Sequence, residues 1–369
     1  VRILFTFIGG NGHFQPLVPL ARAARAAGHT VAVAGGAGMR ATVEAAGFTA
    51  FPIGTARAPG QGMLGPLVPL DPAKEDRDLR EGFARTGAAE HAAALLTLGR
   101  DWKPDLLVRD EVDFGAAVAA EVLGVRCVSV VDIIAGGFLR PAVIAEPLHE
   151  LRAAHGLPAD PGLAMLHRGG VLSPVPARYR DPADPLPEHT GYFRPCTARR
   201  EPPRERPGIY FTLGTIFNRE SGDLFTRVLT GLRELPADIV VTVGRHLDPA
   251  DLGPQPAHVR IERYLPQEEV LPGCDLVVSH GGSGSVTGAL AHGLPLLVLP
   301  LGADQPGNAR RCTALGVGHT LDPVTTTPDQ VHTAAATLLA DPEPARLARE
   351  LAVEIAALPD PADVLATLG

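Results

Sequence analysis

The chain has 369 residues with 33 Lys and Arg against 41 Asp and Glu, a net charge of −8, and 45% hydrophobic residues. Such a length suggests about two domains of ordinary globular composition, and the acidic balance speaks against a nucleic-acid face, which needs a basic surface. The four cysteines, at 127, 196, 274 and 312, show no CxxC spacing; this fits a reducing, cytoplasmic setting rather than a disulfide framework or a zinc site, and no apolar run approaches the ~18 residues of a membrane span.

The N-terminal Val1-Arg2-Ile3-Leu4-Phe5 reads as the start of a strand over Arg2–Ile8 rather than as a signal peptide. Gly9-Gly10-Asn11-Gly12-His13 follows it. This loop lacks GxGxxG spacing, and the second strand ends in Ala34-Gly35-Gly36 with no acid for a ribose, so it is not a dinucleotide fingerprint. It does offer one imidazole at a strand's carboxyl end, able to accept a proton from a hydroxyl near neutral pH. The bland alternative is a histidine that caps its loop through the backbone. Pro16–Ala27 reads as a helix with Leu17, Leu20, Ala21 and Ala24 on one face, ended by Gly28.

Strand and helix then alternate: a strand at Thr30–Ala34, a helix at Met39–Ala46 and a strand at Thr49–Ile53. Ala56–Asp71 is rich in Gly and Pro and reads as a surface loop. A helix around Glu81–Leu98 precedes a strand at Leu106–Arg109 that ends at Asp110, and Ala116–Leu123 and Val125–Val131 supply another helix and strand. Alternation of this kind implies a parallel sheet with helices on both faces. Adjacent strands would bring Asp110 beside His13, where a carboxylate fixes the imidazole tautomer and stabilises the imidazolium; the alternative for Asp110 is an N-cap on the next helix. Asp110-Glu111-Val112-Asp113 has no His or further acid cluster near it in sequence, so we expect no metal there.

Pro195–Pro207, PCTARREPPRERP, reads as a linker. The alternation restarts beyond it, with strands at Ile209–Leu213, Ile239–Val243, Val259–Ile261, Leu276–Ser279 and Leu296–Leu299 and helices at Asp223–Arg233, Asn308–Leu315, Pro328–Ala340 and Glu343–Ala357. The expected fold class is therefore α/β, two tandem Rossmann-like doubly wound domains facing each other across a cleft. The expected division is 1–195, a linker at 196–207 and 208–369, with the final helix free to pack back on the first domain. Ligands in such sheets sit beyond the carboxyl ends of strands.

His280-Gly281-Gly282-Ser283-Gly284-Ser285 joins an apolar strand to a helix. Free backbone N–H groups and the dipole at a helix start make an anion site, and His280 stands at its mouth. Thr215, after the strand ending at Leu213, can donate a hydroxyl to phosphate or act as a turn residue. Tyr264, next to Leu265-Pro266, can stack on a base or belong to the core. Asp304 and Gln305 can grip vicinal sugar hydroxyls or form a solvated loop pair, and Asn308 reads as structural.

Tyr264-x-Pro266-Gln267, His280-x-Gly282-x-x-Ser285, Gly293-Leu294-Pro295 and Pro300-x-x-x-Asp304-Gln305-x-x-Asn308-Ala309 together resemble the donor-binding signature of family-one GT-B fold glycosyltransferases, and Gly12-His13-x-x-Pro16 resembles their N-terminal catalytic loop. The closest flavour is the bacterial branch that decorates polyketides and other natural products, including antibiotics. The resemblance implies an inverting, metal-independent sugar transfer from a nucleotide diphosphate, with no cofactor beyond the nucleotide-sugar co-substrate. By it, His13 is the base and Asp110 its partner. His280 and the N–H groups of Gly282, Ser283 and Gly284 hold the diphosphate with Thr215; Tyr264 and the Leu265 backbone hold the base; Asp304 and Gln305 hold the sugar.

Two departures bear on the donor. Relatives, plant ones notably, carry Trp where Tyr264 stands and a ribose-contacting Glu eight residues after the histidine, where this chain has Gly288. Nothing at Gly288 grips a 2′-hydroxyl, which points to a dTDP-sugar. For the acceptor, Met63 and Leu67 in one loop and Ile134 and Phe138 in Asp132–Ile144 could line a hydrophobic cleft for an aglycone, or be ordinary loop packing. The partners expected are two small molecules, with a homodimer left open. The rival readings are a nucleotide-sugar epimerase of the same fold and a catalytically silent nucleotide-sugar-binding partner protein.

Overall fold

The structure, a computed structural model, describes residues 1–54, 65–202, 204–214, 221–244 and 247–368. The chain divides into two compact units: Val1–Pro59, Asp71–Pro195 and Leu358–Gly369 form the first, Gly60–Leu70 and Cys196–Ala357 the second.

The first unit is built on a sheet of seven parallel strands: β1 (Arg2–Thr6), β2 (Thr30–Gly36), β3 (Thr49–Ile53), β4 (Leu106–Asp110), β5 (Arg126–Val130), β6 (Val171–Ser173) and β7 (Gly191–Tyr192). They lie in the order β3-β2-β1-β4-β5-β6-β7. Its helices are α1 (Asn11–Phe14), α2 (Val18–Ala26), α3 (Arg40–Ala45), α4 (Pro72–Arg77), α5 (Ala88–Trp102), α6 (Phe114–Leu123) and α7 (Pro141–Ala154). The strands are apolar on both faces because both faces are covered. Ile3 and Phe5 pack under α2 with Leu17 and Leu20, whereas Leu4 and Leu107 pack under α5 and α6 with Leu95, Ala116 and Ala120.

The second unit repeats the plan with six parallel strands: β8 (Gly208–Thr212), β9 (Asp238–Thr242), β10 (Val259–Glu262), β11 (Leu276–Ser279), β12 (Leu296–Val298) and β13 (Gly318–Thr320), in the order β10-β9-β8-β11-β12-β13. Its helices are α8 (Leu224–Leu232), α9 (Gln267–Val270), α10 (Ser283–Ala291), α11 (Gln305–Ala314), α12 (Pro328–Ala340) and α13 (Pro342–Ala356). A final helix, α14 (Pro361–Ala366), returns to the first unit, where Val364 and Leu365 join the core beneath α2.

In each sheet the strand order reverses beside the first strand, between β1 and β4 and between β8 and β11. That reversal opens a crevice beyond the carboxyl ends, the place where such folds bind ligands.

Three regions depart from the sequence expectation. The stretch expected as the apolar loop Asp132–Ile144 ends in α7, which begins at Pro141 and carries Pro147 inside it; two prolines hid its periodicity. The helix expected around Glu81–Leu98 is a longer helical run, with a π-helix over Asp78–Gly87 between α4 and α5. The stretch expected as a linker belongs to the second unit, where Arg200 Nη1 donates to Cys274 O at 2.6 Å and Glu201 N to Pro272 O at 2.8 Å.

Candidate active site

The first subsite lies at the sheet reversal of the first unit. After β1 the chain turns through Gly9, at φ +95°, into α1, which carries His13. A Cβ at Gly9 would lie 2.8 Å from His13 Cδ2, so only glycine leaves the ring its place. β4 runs beside β1 with Arg109 opposite Thr6, and this register carries Asp110 to the histidine. Asp110 Oδ2 lies 3.4 Å from His13 Nδ1. A second carboxylate, Asp132, contacts the same nitrogen more closely through its own Oδ2. Asp132 follows β5, the next strand over, so three consecutive strands of the sheet contribute.

Asp110 is completely buried and tied to the backbone. Its Oδ1 accepts from Val112 N at 2.9 Å and Asp113 N at 2.6 Å, and its Oδ2 accepts from Ile8 N at 3.0 Å. The helix N-cap considered for Asp110 is instead Asp113, whose side chain accepts from Ala116 N. Burial, then the neighbouring Asp132 charge, push the Asp110 carboxyl well above its usual range. Glu111 accepts from Asp132 N and Ile133 N, and burial raises it to about 8. Arg109, 1% exposed, donates to the carbonyls of Asp110 and Glu111 at 2.8 Å and braces the turn. His91 pairs with Asp113 at 3.1 Å. The Phe83 ring, on the π-helical segment, lies 6.3 Å from that of His13.

His13, Asp110 and Asp132 each offer one ligand atom, all within 4.8 Å of one another. Sequence had placed no further acid near Asp110, and the structure corrects this with Asp132. With Asp132 Oδ2 in contact with Nδ1 and Asp110 Oδ2 at 3.4 Å from it, the trio sets one imidazole against two acids. Asp132 was read in the sequence only as the start of an apolar loop; its one signal there is its place just after a strand.

The second subsite lies at the other sheet's reversal. Gly282 is the N-cap of α10 and Ser283 its first residue, so N–H groups of Ser283 and Gly284 stand in the first turn, where intrahelical acceptors are lacking. His280 is 9% exposed. A Cβ on Gly214, at φ +72°, or on Gly282 would lie 2.7 Å from His280 Nε2, so the ring edge is wedged between two backbones. Burial pushes the imidazole down to about 4, and Nδ1 has no hydrogen-bond partner among the described residues. A neutral ring whose proton sits on Nε2 leaves only a lone pair unsatisfied, the milder of the two choices.

Asp304 follows Ala303, which holds φ +55°. Its Oδ2 accepts from Ser283 N at 3.1 Å, Ser283 Oγ at 2.5 Å and Asn308 Nδ2 at 2.9 Å. The carboxylate expected at a sugar thus rests on the α10 N-terminus here. Gln305 is 1% exposed, and its Oε1 accepts from Leu301 N at 2.7 Å and Gly302 N at 3.1 Å. Its carbonyl therefore holds the loop. Asn308 is buried and reaches Gly281 O at 2.9 Å, a structural role. Tyr264 is 53% exposed and Leu265 half-buried, leaving an open aromatic face after β10. Thr215 lies outside the described residues.

Leu67 packs on the core of the second unit, Ile134 is 1% exposed, and Phe138 packs against the Ile133–Ile144 cluster; Met63 lies outside the described residues.

Comparison with known proteins fits this architecture. The model of the "Erythromycin biosynthesis protein CIII-like, C-terminal domain" family matches residues 226–369. L-demethylnoviosyl transferase of Streptomyces niveus is 32% identical, over 99% of this chain and 96% of its own. The crystal structure of glycosyltransferase SnogD from Streptomyces nogalater matches at TM-score 0.79 and 27% identity, covering 100% of this chain and 99% of that one. The spinosyn rhamnosyltransferase SpnG complexed with thymidine diphosphate matches at TM-score 0.81 and 26% identity, covering 100% of both. Two parallel-sheet units with a histidine at each reversal, and these likenesses, define a GT-B fold sugar-transferring enzyme. The chain belongs to the family-one GT-B glycosyltransferases of bacterial natural-product and antibiotic biosynthesis.

Proposed function

We propose that the enzyme transfers a sugar from a dTDP-deoxysugar to a hydroxyl of a hydrophobic natural-product aglycone, with inversion and without a metal, His13 acting as general base with a carboxylate partner that the resemblance assigns to Asp110. The observation that carries this reading is the His13 Nδ1 held at buried carboxylates beyond β1. With Nδ1 so engaged, Nε2 is the nitrogen that takes the acceptor's proton. The acceptor oxygen bonds to the anomeric carbon as the bond from that carbon to the β-phosphate oxygen breaks, and the nucleoside diphosphate leaves with the electron pair. His280 and the α10 N-terminus meet the leaving charge by hydrogen bonds preorganised before reaction, a task that otherwise falls to a metal ion.

The thymidine diphosphate of the SpnG complex supports the donor class. So does Gly288, which offers no carboxylate for a ribose and whose added Cβ would sit tightly, 3.0 Å from Gln267 Oε1 and 3.1 Å from Leu271 Cδ1. The finer roles follow the same reading. Tyr264 and the Leu265 backbone hold the base, Gly282, Ser283, Gly284 and Thr215 the diphosphate, and Asp304 and Gln305 the sugar. Among the described residues no helix is long and apolar enough to cross a membrane.

Calorimetry with dTDP and UDP tests the donor: dTDP binds tighter, and UDP binding tenfold tighter than dTDP overturns the assignment. A donor and acceptor panel read by mass spectrometry identifies the two substrates, and a chelator leaves the rate unchanged. Donor alone gives no epimer by NMR; an epimer would establish the rival reaction.

A further inference from the structure

We propose that Asp132, rather than Asp110, is the positioning residue that holds the His13 tautomer and balances the imidazolium during transfer, while Asp110 fixes the backbone around the site. The inference rests on the reading of His13 as the base.

A positive charge formed on the His13 ring is balanced first by the carboxylate nearest its Nδ1. Asp132 Oδ2 is in direct contact with that nitrogen, whereas Asp110 Oδ2 stands 3.4 Å away. The two carboxylates also differ in what else they hold. Both oxygens of Asp110 are engaged with backbone N–H groups, those of Ile8, Val112 and Asp113, which belong to the turns after β1 and β4. Removing that carboxylate would free three backbone donors in the interior. Asp132 has no such employment: its Oδ1 is buried and has no hydrogen-bond partner among the described residues, and its side chain is 3% exposed.

A buried carboxylate with little else to satisfy it gains most when the ring beside it becomes positive. That gain appears only as the acceptor's proton moves to His13, so it favours the transition state over the bound ground state. The charged surroundings sharpen the contrast. Glu111 and Asp110 face Asp132, Asp113 is paired with His91, Arg180 donates to Ile133 O at 2.8 Å, and the Arg109 guanidinium donates to the carbonyls of Asp110 and Glu111. Among the described residues, His13 is the imidazole in direct contact with Asp132.

The test compares D132N, D132E and D110N in the full chain, with H13A as reference. In D132N the side-chain amide can present a donor to Nδ1 and favour the wrong tautomer, so kcat should fall about 10²–10⁴-fold with KM changed less than threefold. The acid limb of the kcat/KM profile should move to lower pH, and D132E should recover at least tenfold of the lost rate. D110N should lose less rate and more thermal stability. Independently of turnover, ¹⁵N spectra of the His13 ring, assigned by their loss in H13A, should show its titration midpoint falling in D132N by more than in D110N. The proposal is overturned if D132N leaves both kcat and the His13 titration unchanged, or if D110N lowers kcat more than D132N at an unchanged melting temperature. Should H13A keep full turnover, the base reading fails, while the ¹⁵N titration still decides whether Asp132 is coupled to the ring. If D132N does not fold, D132E and its His13 titration decide the question.

Discussion

His13 and His280 each follow a parallel strand at a point where the strand order reverses, yet their surroundings are opposite in kind. His13 meets two buried carboxylates at one ring nitrogen. His280 meets glycine backbones and a helix N-terminus, and burial alone pushes it down to about 4. The first environment rewards a positive ring, as a base needs once it has taken a proton. The second keeps the ring neutral, so that it offers a hydrogen bond without binding a proton of its own. Residue type alone therefore says little about role: the neighbouring atoms make one histidine an acceptor of protons and the other a fixed donor.

The comparison breaks most visibly at the first histidine. His13→Ala should lower transfer about 10²–10⁴-fold while dTDP affinity, measured by calorimetry, stays within twofold. Equal losses in both would mean that His13 serves donor binding. At the second histidine, His280→Ala should cost about 10²–10³-fold in kcat and weaken dTDP binding as well, with part of both restored in His280→Asn, which keeps a donor.

Stability against pH separates the two regions by sign. Between about 4 and the ordinary value of 6.5, the unfolded chain protonates His280 and the folded chain does not, so acidification favours unfolding by on the order of 3 kcal/mol across that range. Glu111 behaves in reverse. Raised to about 8, it keeps its proton when folded, so its contribution is lost as pH rises from its ordinary 4.5 towards 8. Melting curves should therefore lose part of their acid slope in His280→Asn and part of their alkaline slope in Glu111→Gln; the same slope change in both variants would contradict the assignment. The smallest effect concerns the wedge on His280. Gly214→Ala adds a methyl at φ +72°, 2.7 Å from the ring, and should destabilise by about 1–3 kcal/mol with weaker dTDP binding; an unchanged affinity would show that the ring does not need this seat.

Much of the architecture was legible in the amino-acid order. The strands at Thr49–Ile53 and Leu276–Ser279 and the helix at Pro328–Ala340 fall where the pattern places them, because the buried Leu276–Ser279 is a continuous apolar run, Thr49–Ile53 is bounded by Gly47 and Gly54, and a Thr-Pro start marks a helix. Strands of two or three residues, such as β6, β7 and β13, are too short for any period to show. The histidines were legible too, since each stands beyond a strand beside a glycine-rich turn, after it at His13 and before it at His280. Asp132 was not: an acid heading an apolar stretch carries no spacing signal, and only the order β1-β4-β5 makes it a neighbour of His13. Gln305 carries a use that local order hides: its carbonyl accepts from two backbone N–H groups of its own loop.

By itself, then, the sequence determined the doubly wound class, the two glycine-flanked histidines and the family signature, because these rest on local order: periodicity, turn residues and spacing along one strand–loop–helix unit. The tertiary structure alone decided which carboxylate touches His13, that His280 is neutral, and that Asp304 rests on the start of α10. Those are contacts between segments far apart in the chain, and burial and charge at such contacts exist only once the sheet has set its strands side by side.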